Sequence, residues 1–426
     1  MSFGIPVRNG LSIGLLASTF LTSGSGRLVP RLTLNFLTGA PLDSRITFTR
    51  STTATFVGSD GLIQSSAINT PRFDYNPLTL APRGLLIEEQ RTNLLLRSEE
   101  FDNAAWTKTR SSITANATTS PDGTANADRF VIDITPATNH AVGQSASVTS
   151  GTTYALTVFA KADQFSQINL RFSAQFPAGN AYYDLNSGTV SSSGTVVSAS
   201  MTSFGNGWWR CVLVMTANAT GAAAGQIFLA QSNSITILIG DGTSGLFLYG
   251  AQLEAGAFPS SYIPTVASTV TRASDNATMT GTNFSSWYNA SEGTFVASAA
   301  VFSTASNRGV YAASDGSGAN ELFHYVSTTA NNLVTTASIS QANVIISGPV
   351  LVNTVFSDAF AYRANDISAA FNGILGTPDT SATIPTVNQL RLGARGDAAL
   401  RLNGHLRTIT YYASRLTNAQ LQAVAS

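Results

Sequence analysis

NGWWRCVLVMT, residues Asn206–Thr216, reads as one buried β-strand with two distinct faces. Side chains alternate across a strand with period two. One face therefore carries Trp209, Cys211, Leu213 and Met215, the nearly continuous apolar set that a core demands. The other carries Trp208 and Arg210, then Val212 and Val214. An aromatic ring beside a guanidinium is what a shallow polar-ligand site uses. The same pair also suits a sheet edge that Trp208 covers and Arg210 solvates. Both readings stand at this point.

Strands recur at regular spacing around this one. Ala127–Ile134, Thr153–Lys161, Gln167–Ser173, Asn180–Leu185, Ile235–Ile239 and Leu246–Leu253 are apolar runs with β-branched and aromatic residues. Turn signals part them at Pro121-Asp122-Gly123, Asn186-Ser187-Gly188 and Gly240-Asp241-Gly242. That pattern predicts a two-sheet β-sandwich. Sorting by parity puts Ile168, Leu170, Phe172, Tyr183 and Leu185 with the Trp209 face. The opposite set is Asn169, Arg171, Tyr182, Asp184, Trp208 and Arg210. Sugars present apolar C–H faces ringed by hydroxyls, so stacking plus forked hydrogen bonds binds them. Trp208 is the expected stacking platform, with Arg210 and Arg171 as donors and Asn169, Tyr182 and Asp184 fixing orientation.

Composition narrows the function. The chain has 426 residues, a formal net charge of zero and only 11% charged residues. A nucleic-acid binder needs a basic field, which is absent here. With 43% hydrophobic residues the chain is not disordered. Cys211 is the single cysteine, so no intrachain disulfide forms and stability must come from burial or association. His140, His324 and His405 lie far apart, and no HExxH, GxSxG or phosphate-binding glycine loop is present. Asp315, Asp366 and Asp397 match no compact calcium loop. The chain is expected to be non-enzymatic, without cofactor or metal. Adjacent strand residues face opposite ways, so Glu88 and Glu89 cannot converge on one bond, and a local ion pair with Arg91 is expected.

The ends carry their own signals. MSFGIPVRNGLSIGLLASTF, residues 1–20, has the outline of a secretory signal, but its apolar run falls well short of the roughly 20 residues a membrane span needs. Interrupted by Gly4, Gly10 and Gly14, it is read as an apolar docking tail of Phe3, Ile5, Pro6, Val7, Leu11, Ile13, Leu15 and Leu16. Gly24-Ser25-Gly26 reads as a hinge. Ser98–Ala105 predicts a short capped helix. Thr417–Ala425 predicts a closing helix, with Thr417 and Gln420 spaced as a capping box.

Two resemblances follow. NLLLRSEEFDNAAW, SPDGTANADRFVIDI, GWWRCVLVMTANATG and LFLYGAQLEAGAFPSSYIPT occur in order, behind RITFTRSTTATFVGSDGLIQ, PRFDYNP and GLLIEEQRTNLL. This series, covering residues 45–265, resembles the jelly-roll modules of bacteriophage virion proteins, which are similar to carbohydrate-binding modules. VNQLRLGAR and LNGHLRTITYYASRLTNAQLQAV, within residues 285–426, resemble the laminin-G or concanavalin-like sandwich. In that family the Gly–His–hydrophobic strand is framework, which implies a structural His405.

The resulting expectation is an all-β chain of two β-sandwiches in tandem. Residues 1–26 form the docking segment, 27–92 an extended connecting region, 93–265 the jelly roll and 266–426 the second sandwich. The resemblance implies a fibre, spike or decoration protein on the exterior of a phage particle. Its partners would be other virion proteins, further copies of itself (a trimer is favoured) and a host-surface glycan. A purely structural cement protein without ligand, and a cellular polysaccharide-binding or depolymerising protein, stay open as alternatives. Deleting residues 2–22 is expected to leave a soluble, folded protein that no longer joins particles, because a Gly-interrupted apolar segment cannot fold alone. Normal incorporation of that truncation, scored on purified particles, would contradict the docking role.

Overall fold

The computed structural model describes residues 28–231 and 236–426, so the docking residues Phe3 to Leu16 lie outside it. Among the described residues the architecture is all-β, with two short helices, Thr282–Ser285 and Asn418–Val424. No helix there is long and apolar enough to cross a membrane. Four large sheets form two sandwiches.

The module around the Trp strand has two six-stranded antiparallel sheets. One runs Ser198–Ser203, Trp208–Thr216, Thr153–Lys161, Gly245–Ala255, Ala127–Ile132, Ser111–Thr118. The other runs Thr189–Gly194, Gly179–Asp184, Gln167–Phe172, Gly221–Ala230, Ala141–Val148, Thr107–Thr109. Cys211, Leu213 and Met215 meet Ile168, Leu170, Tyr183 and Leu185 in the core between them, with Trp209 at its rim. The parity read from the sequence is the parity of the fold. Ser98–Ala105 is not a helix. Successive turns close through Asn103 N to Glu100 O and Trp106 N to Asn103 O. The Ser98 hydroxyl bonds Tyr262 Oη at 2.7 Å and accepts from Thr265 N, so it is spent on tertiary contacts rather than on a cap.

The second sandwich is not confined to the carboxyl-terminal part of the chain. Leu32–Asn35 pairs with Gly404–Tyr412, and Pro82–Ile87 pairs with the other end of that same strand. Thr47–Thr49 joins the facing sheet beside Asn276–Thr280. The region expected to be an extended connection ahead of the jelly roll therefore supplies strands to both sheets of the second sandwich. The two sandwiches stand as host and insert rather than in tandem. The chain begins the host, leaves it to build the jelly roll, and returns to complete it. The reason is that Glu292–Val301 covers one edge of the host's central strand, Gly404–Tyr412, and residues 32–35 and 82–87 together cover the other.

Exit and return run side by side. Arg91–Asn93 pairs with Val270–Arg272 in a two-stranded neck. Asn93 is fully buried there and satisfies four backbone groups: it donates to Ala251 O and Ile263 O and accepts from Leu95 N and Leu253 N. Beside the neck lies a buried charge network. Glu88 pairs with Arg72 at 2.8 Å and Arg272 at 2.6 Å, and Asp275 with Arg72 at 2.5 Å and Arg50 at 3.1 Å. All five side chains are at most 2% exposed. Glu89 points the other way and pairs with Arg91 at 2.5 Å. The expected local pair thus holds for Glu89, whereas Glu88 reaches across the chain. The closing helix forms with the reciprocal Thr417–Gln420 capping box.

Burial alone would push the Glu88 carboxyl up. The charges of Arg272 and Arg72, with hydrogen bonds from Ser261, overcome that and hold it well below the usual carboxylate range. A depressed carboxylate pKa contributes stability above its unfolded value, and that stability is lost as pH falls through the folded value. Glu88→Gln leaves Arg72 and Arg272 facing each other without a shared counter-ion, and is expected to cost about 3–5 kcal/mol. Urea unfolding at neutral pH measures that loss. The variant should also lose less stability than the wild type on acidification below about pH 4. Equal midpoints for both proteins would remove the network from the account of stability.

Candidate functional site

The six residues expected to form one polar face lie on two. Asn169, Arg171, Tyr182 and Asp184 share the outer face of the sheet that contains Gln167–Phe172. Trp208 and Arg210 share the outer face of the opposite sheet, across the core. Parity separates inward from outward side chains, but it does not say which of two sheets a strand joins. On the first face, Asn169 is buried and donates to Asn180 Oδ1 at 3.0 Å and Ala181 O at 3.1 Å. Asp184 accepts from Gln167 Nε2 and from the backbone of Asn186 and Ser187, which closes a turn. The Arg171 guanidinium lies flat over Phe228, 3.5 Å from the ring centroid. The orienting groups Asn169 and Asp184 are thus committed within the sheet.

Trp208 is not a surface platform. It is 2% exposed, packs with Phe159, Tyr249 and Tyr262, and donates through Nε1 to Thr119 O at 3.0 Å. The outer face of its sheet is covered by the segment holding Ile63 and by the loop ending in Tyr262. Arg210, two residues on, has a different fate.

Arg210 opens into a pocket of about 380 Å³ where insert, host and neck converge. The edge strand of the insert provides one wall: Ser198, Ser200 and Thr202 alternate onto the face that carries Arg210 and Val212. These three hydroxyls form no side-chain hydrogen bond among the described residues. The host provides Asp74, Arg83 and Leu86, with Phe302 and Asn353 beside them. Phe204 and the segment Ala257–Tyr262 complete the enclosure.

Each wall is held by identifiable contacts. Phe258 lies between two guanidinium groups, Arg91 at 4.8 Å and Arg308 at 5.1 Å from its ring centroid. Arg91 reaches it across Gly256, where a Cβ would stand 1.5 Å from Nη1 and displace the guanidinium, and where φ of +149° also favours glycine. Asp74 Oδ1 accepts from Val57 N at 2.7 Å, and its Oδ2 lies 2.8 Å from His405 Nε2. His405 thus fixes an acid of the pocket wall from behind, in keeping with a structural role.

Arg210 carries the chemistry. It donates through Nη2 to Ser260 O at 2.8 Å, its Nε is buried without a partner, and no carboxylate pairs with it among the described residues. Burial pulls its pKa below the ordinary guanidinium value, against the opposing fields of Glu254, Glu88 and Tyr262. A cation held this way, facing free hydroxyls and aromatic walls, suits a polyhydroxylated ligand with an acceptor to offer. Most of these lining residues were missed in the sequence. The available signal was Phe258–Tyr262, inside the motif series, and the period-two Ser/Thr pattern of Ser198, Ser200 and Thr202.

No family model and no curated protein matches the chain. Solved structures with partial likeness include the CBM40 of Ruminococcus gnavus IT-sialidase bound to α2,3 sialyllactose, 14% identical, covering 34% of this chain and 88% of its own, TM-score 0.31. A native heptameric SAP-like pentraxin from Limulus polyphemus is 11% identical over 32% of this chain and 70% of its own, TM-score 0.25. A leech intramolecular trans-sialidase is 16% identical over 32% of this chain and 23% of its own, TM-score 0.27. The architecture described above rests on the chain's own strand ladders.

The placement of the two tryptophans reverses the roles expected of them. Trp208→Ala removes a buried ring and its hydrogen bond, and is expected to cost about 3–5 kcal/mol. Trp209, half-buried at the core rim with Nε1 donating to Leu185 O, should cost less when changed to alanine. Denaturant unfolding of both variants decides it. A Trp208→Ala protein as stable as wild type would be incompatible with this packing.

Proposed function

We propose that this protein is a non-enzymatic glycan-binding protein and that its ligand occupies the junction pocket. The observation that carries the reading is the Arg210 guanidinium, without a carboxylate partner, opening into an enclosed space walled by Ser198, Ser200, Thr202 and Phe258. Hydroxyl-rich ligands need forked donors, small hydroxyls and an apolar wall together. A pocket of about 380 Å³ suits one or two sugar rings.

The motif series of residues 45–265 supports a setting on the exterior of a bacteriophage particle, as a fibre, spike or decoration protein. In that setting the first 26 residues dock on another virion protein and the chain assembles as a homo-oligomer, with a trimer favoured. A single pocket of this size binds weakly, and many copies on one particle convert weak contacts into adhesion.

Arg210→Gln and Ser200→Phe test the reading together. The first removes the charge, and the second fills the pocket from an edge strand. Both are expected to lower binding to an array of soluble oligosaccharides by about tenfold or more, with unfolding midpoints close to wild type. Full binding by both variants would move the ligand site elsewhere. A wild type that binds no saccharide on the array would favour the cement protein.

A further inference from the structure

A second depression, of 660 Å³, shares no residue with the junction pocket. It opens where Thr49–Ser51, Ala273–Asn276 and the host residues Arg391 and Arg401 meet. Asn69, Gln90, Ser274 and Asn276 line it with amide and hydroxyl groups.

Its charge is unbalanced. Arg391 donates through Nε to Gly396 O at 3.1 Å and through Nη1 to Asn276 Oδ1, both neutral acceptors. Arg401 forms no hydrogen bond and no ion pair among the described residues, and its Nη1 is buried without a partner. Arg50 at the edge of the cleft is matched by Asp275, but Asp275 is shared with Arg72. The neck network sets three guanidinium groups, Arg50, Arg72 and Arg272, against two carboxylates, Glu88 and Asp275, which leaves one positive charge over. Asp397 is nearby, but its Oδ1 accepts from Ala399 N at 2.9 Å and its Oδ2 lies 3.9 Å from Arg395. Burial and the charge of Arg391, against the opposing fields of Asp275 and Asp397, push the Arg401 guanidinium down to about 10. Buried donors are normally satisfied, and a partly desolvated cation beside another is costly unless an anion joins them.

We infer that this cleft is a second ligand site, taking the carboxylate of an acidic saccharide between Arg391 and Arg401. Guanidinium groups supply the forked donors that a planar carboxylate accepts. Asn69, Gln90 and Ser274 stand where the ring hydroxyls would lie, which distinguishes a saccharide from a bare anion. The site belongs to the host sandwich and its neck, whereas Arg210 belongs to the insert, so the two readings are independent.

The test is calorimetric titration of the full chain with a glucuronate-containing tetrasaccharide, its carboxyl-reduced neutral counterpart, and inorganic sulfate. Wild type is expected to bind the acidic tetrasaccharide, more weakly as salt rises from about 50 to about 300 mM, and to ignore the neutral one. Arg401→Gln should weaken that binding about tenfold or more, and Arg210→Gln should leave it unchanged. The melting temperature of Arg401→Gln should not fall, because the change removes an unpaired charge rather than a contact. Equal binding by wild type and Arg401→Gln, equal binding of the neutral tetrasaccharide, or no binding of the acidic one would each overturn the proposal. Sulfate bound as tightly as the tetrasaccharide would reduce the cleft to a simple anion site and overturn the saccharide assignment.

Discussion

Five buried charges at the neck are the constraint on which the two sandwiches depend. Arg50, Arg72 and Glu88 come from the amino-terminal part of the host, and Arg272 and Asp275 from the segment that returns to it. Ser261, at the end of the insert, donates its backbone N–H and hydroxyl to Glu88. One carboxylate therefore touches every part of the architecture. Hydrophobic burial is non-directional and would hold either sandwich together at many relative angles. Forked hydrogen bonds to a buried carboxylate allow far fewer. The network adds little net stability against an apolar alternative, since desolvation offsets most of the attraction. Its contribution is to fix how insert and host meet.

The junction pocket depends on that fixed angle. The junction pocket takes one wall from the insert edge strand and another from host residues Asp74, Arg83 and Leu86. A rotation about the neck would open it. Phe258 shows the same dependence in one residue, because its flanking guanidinium groups come from the neck (Arg91) and from the host (Arg308). The cleft at Arg401 lies against the network itself, which lends it Arg50 as a lining residue.

What the sequence made legible was local. Alternation along Trp208–Thr216 identified Cys211, Leu213 and Met215 as core, because period two is a property of a single strand. The Thr417–Gln420 capping box was legible because both partners lie within one turn. Ser98 misled because its hydroxyl is used by Tyr262 and Thr265, more than 160 residues away. Trp208 misled for a related reason: its cover, around Ile63 and Tyr262, comes from segments distant in the chain. The insertion was invisible because pairing of Leu32–Asn35 with Gly404–Tyr412 spans almost the whole chain and leaves no local pattern. The motif stretches around Arg50, Arg72, Glu88 and Phe258–Tyr262 were conspicuous from the start. Their meaning, a shared charge network and a pocket wall, required the contacts.

The neck also determines how the molecule bears mechanical load. Both ends of the insert enter and leave through Arg91–Asn93 and Val270–Arg272, paired with each other. Tension applied to the body of the insert is then divided between two adjacent strands, rather than drawn along the insert from one end to the other. No pull at the neck can peel the jelly roll apart strand by strand, because its first and last residues are clamped together. Force passes instead into the host through Pro82–Ile87 and Asn276–Thr280, one strand in each of its sheets. A module mounted this way would swing or detach as a unit before it unravelled.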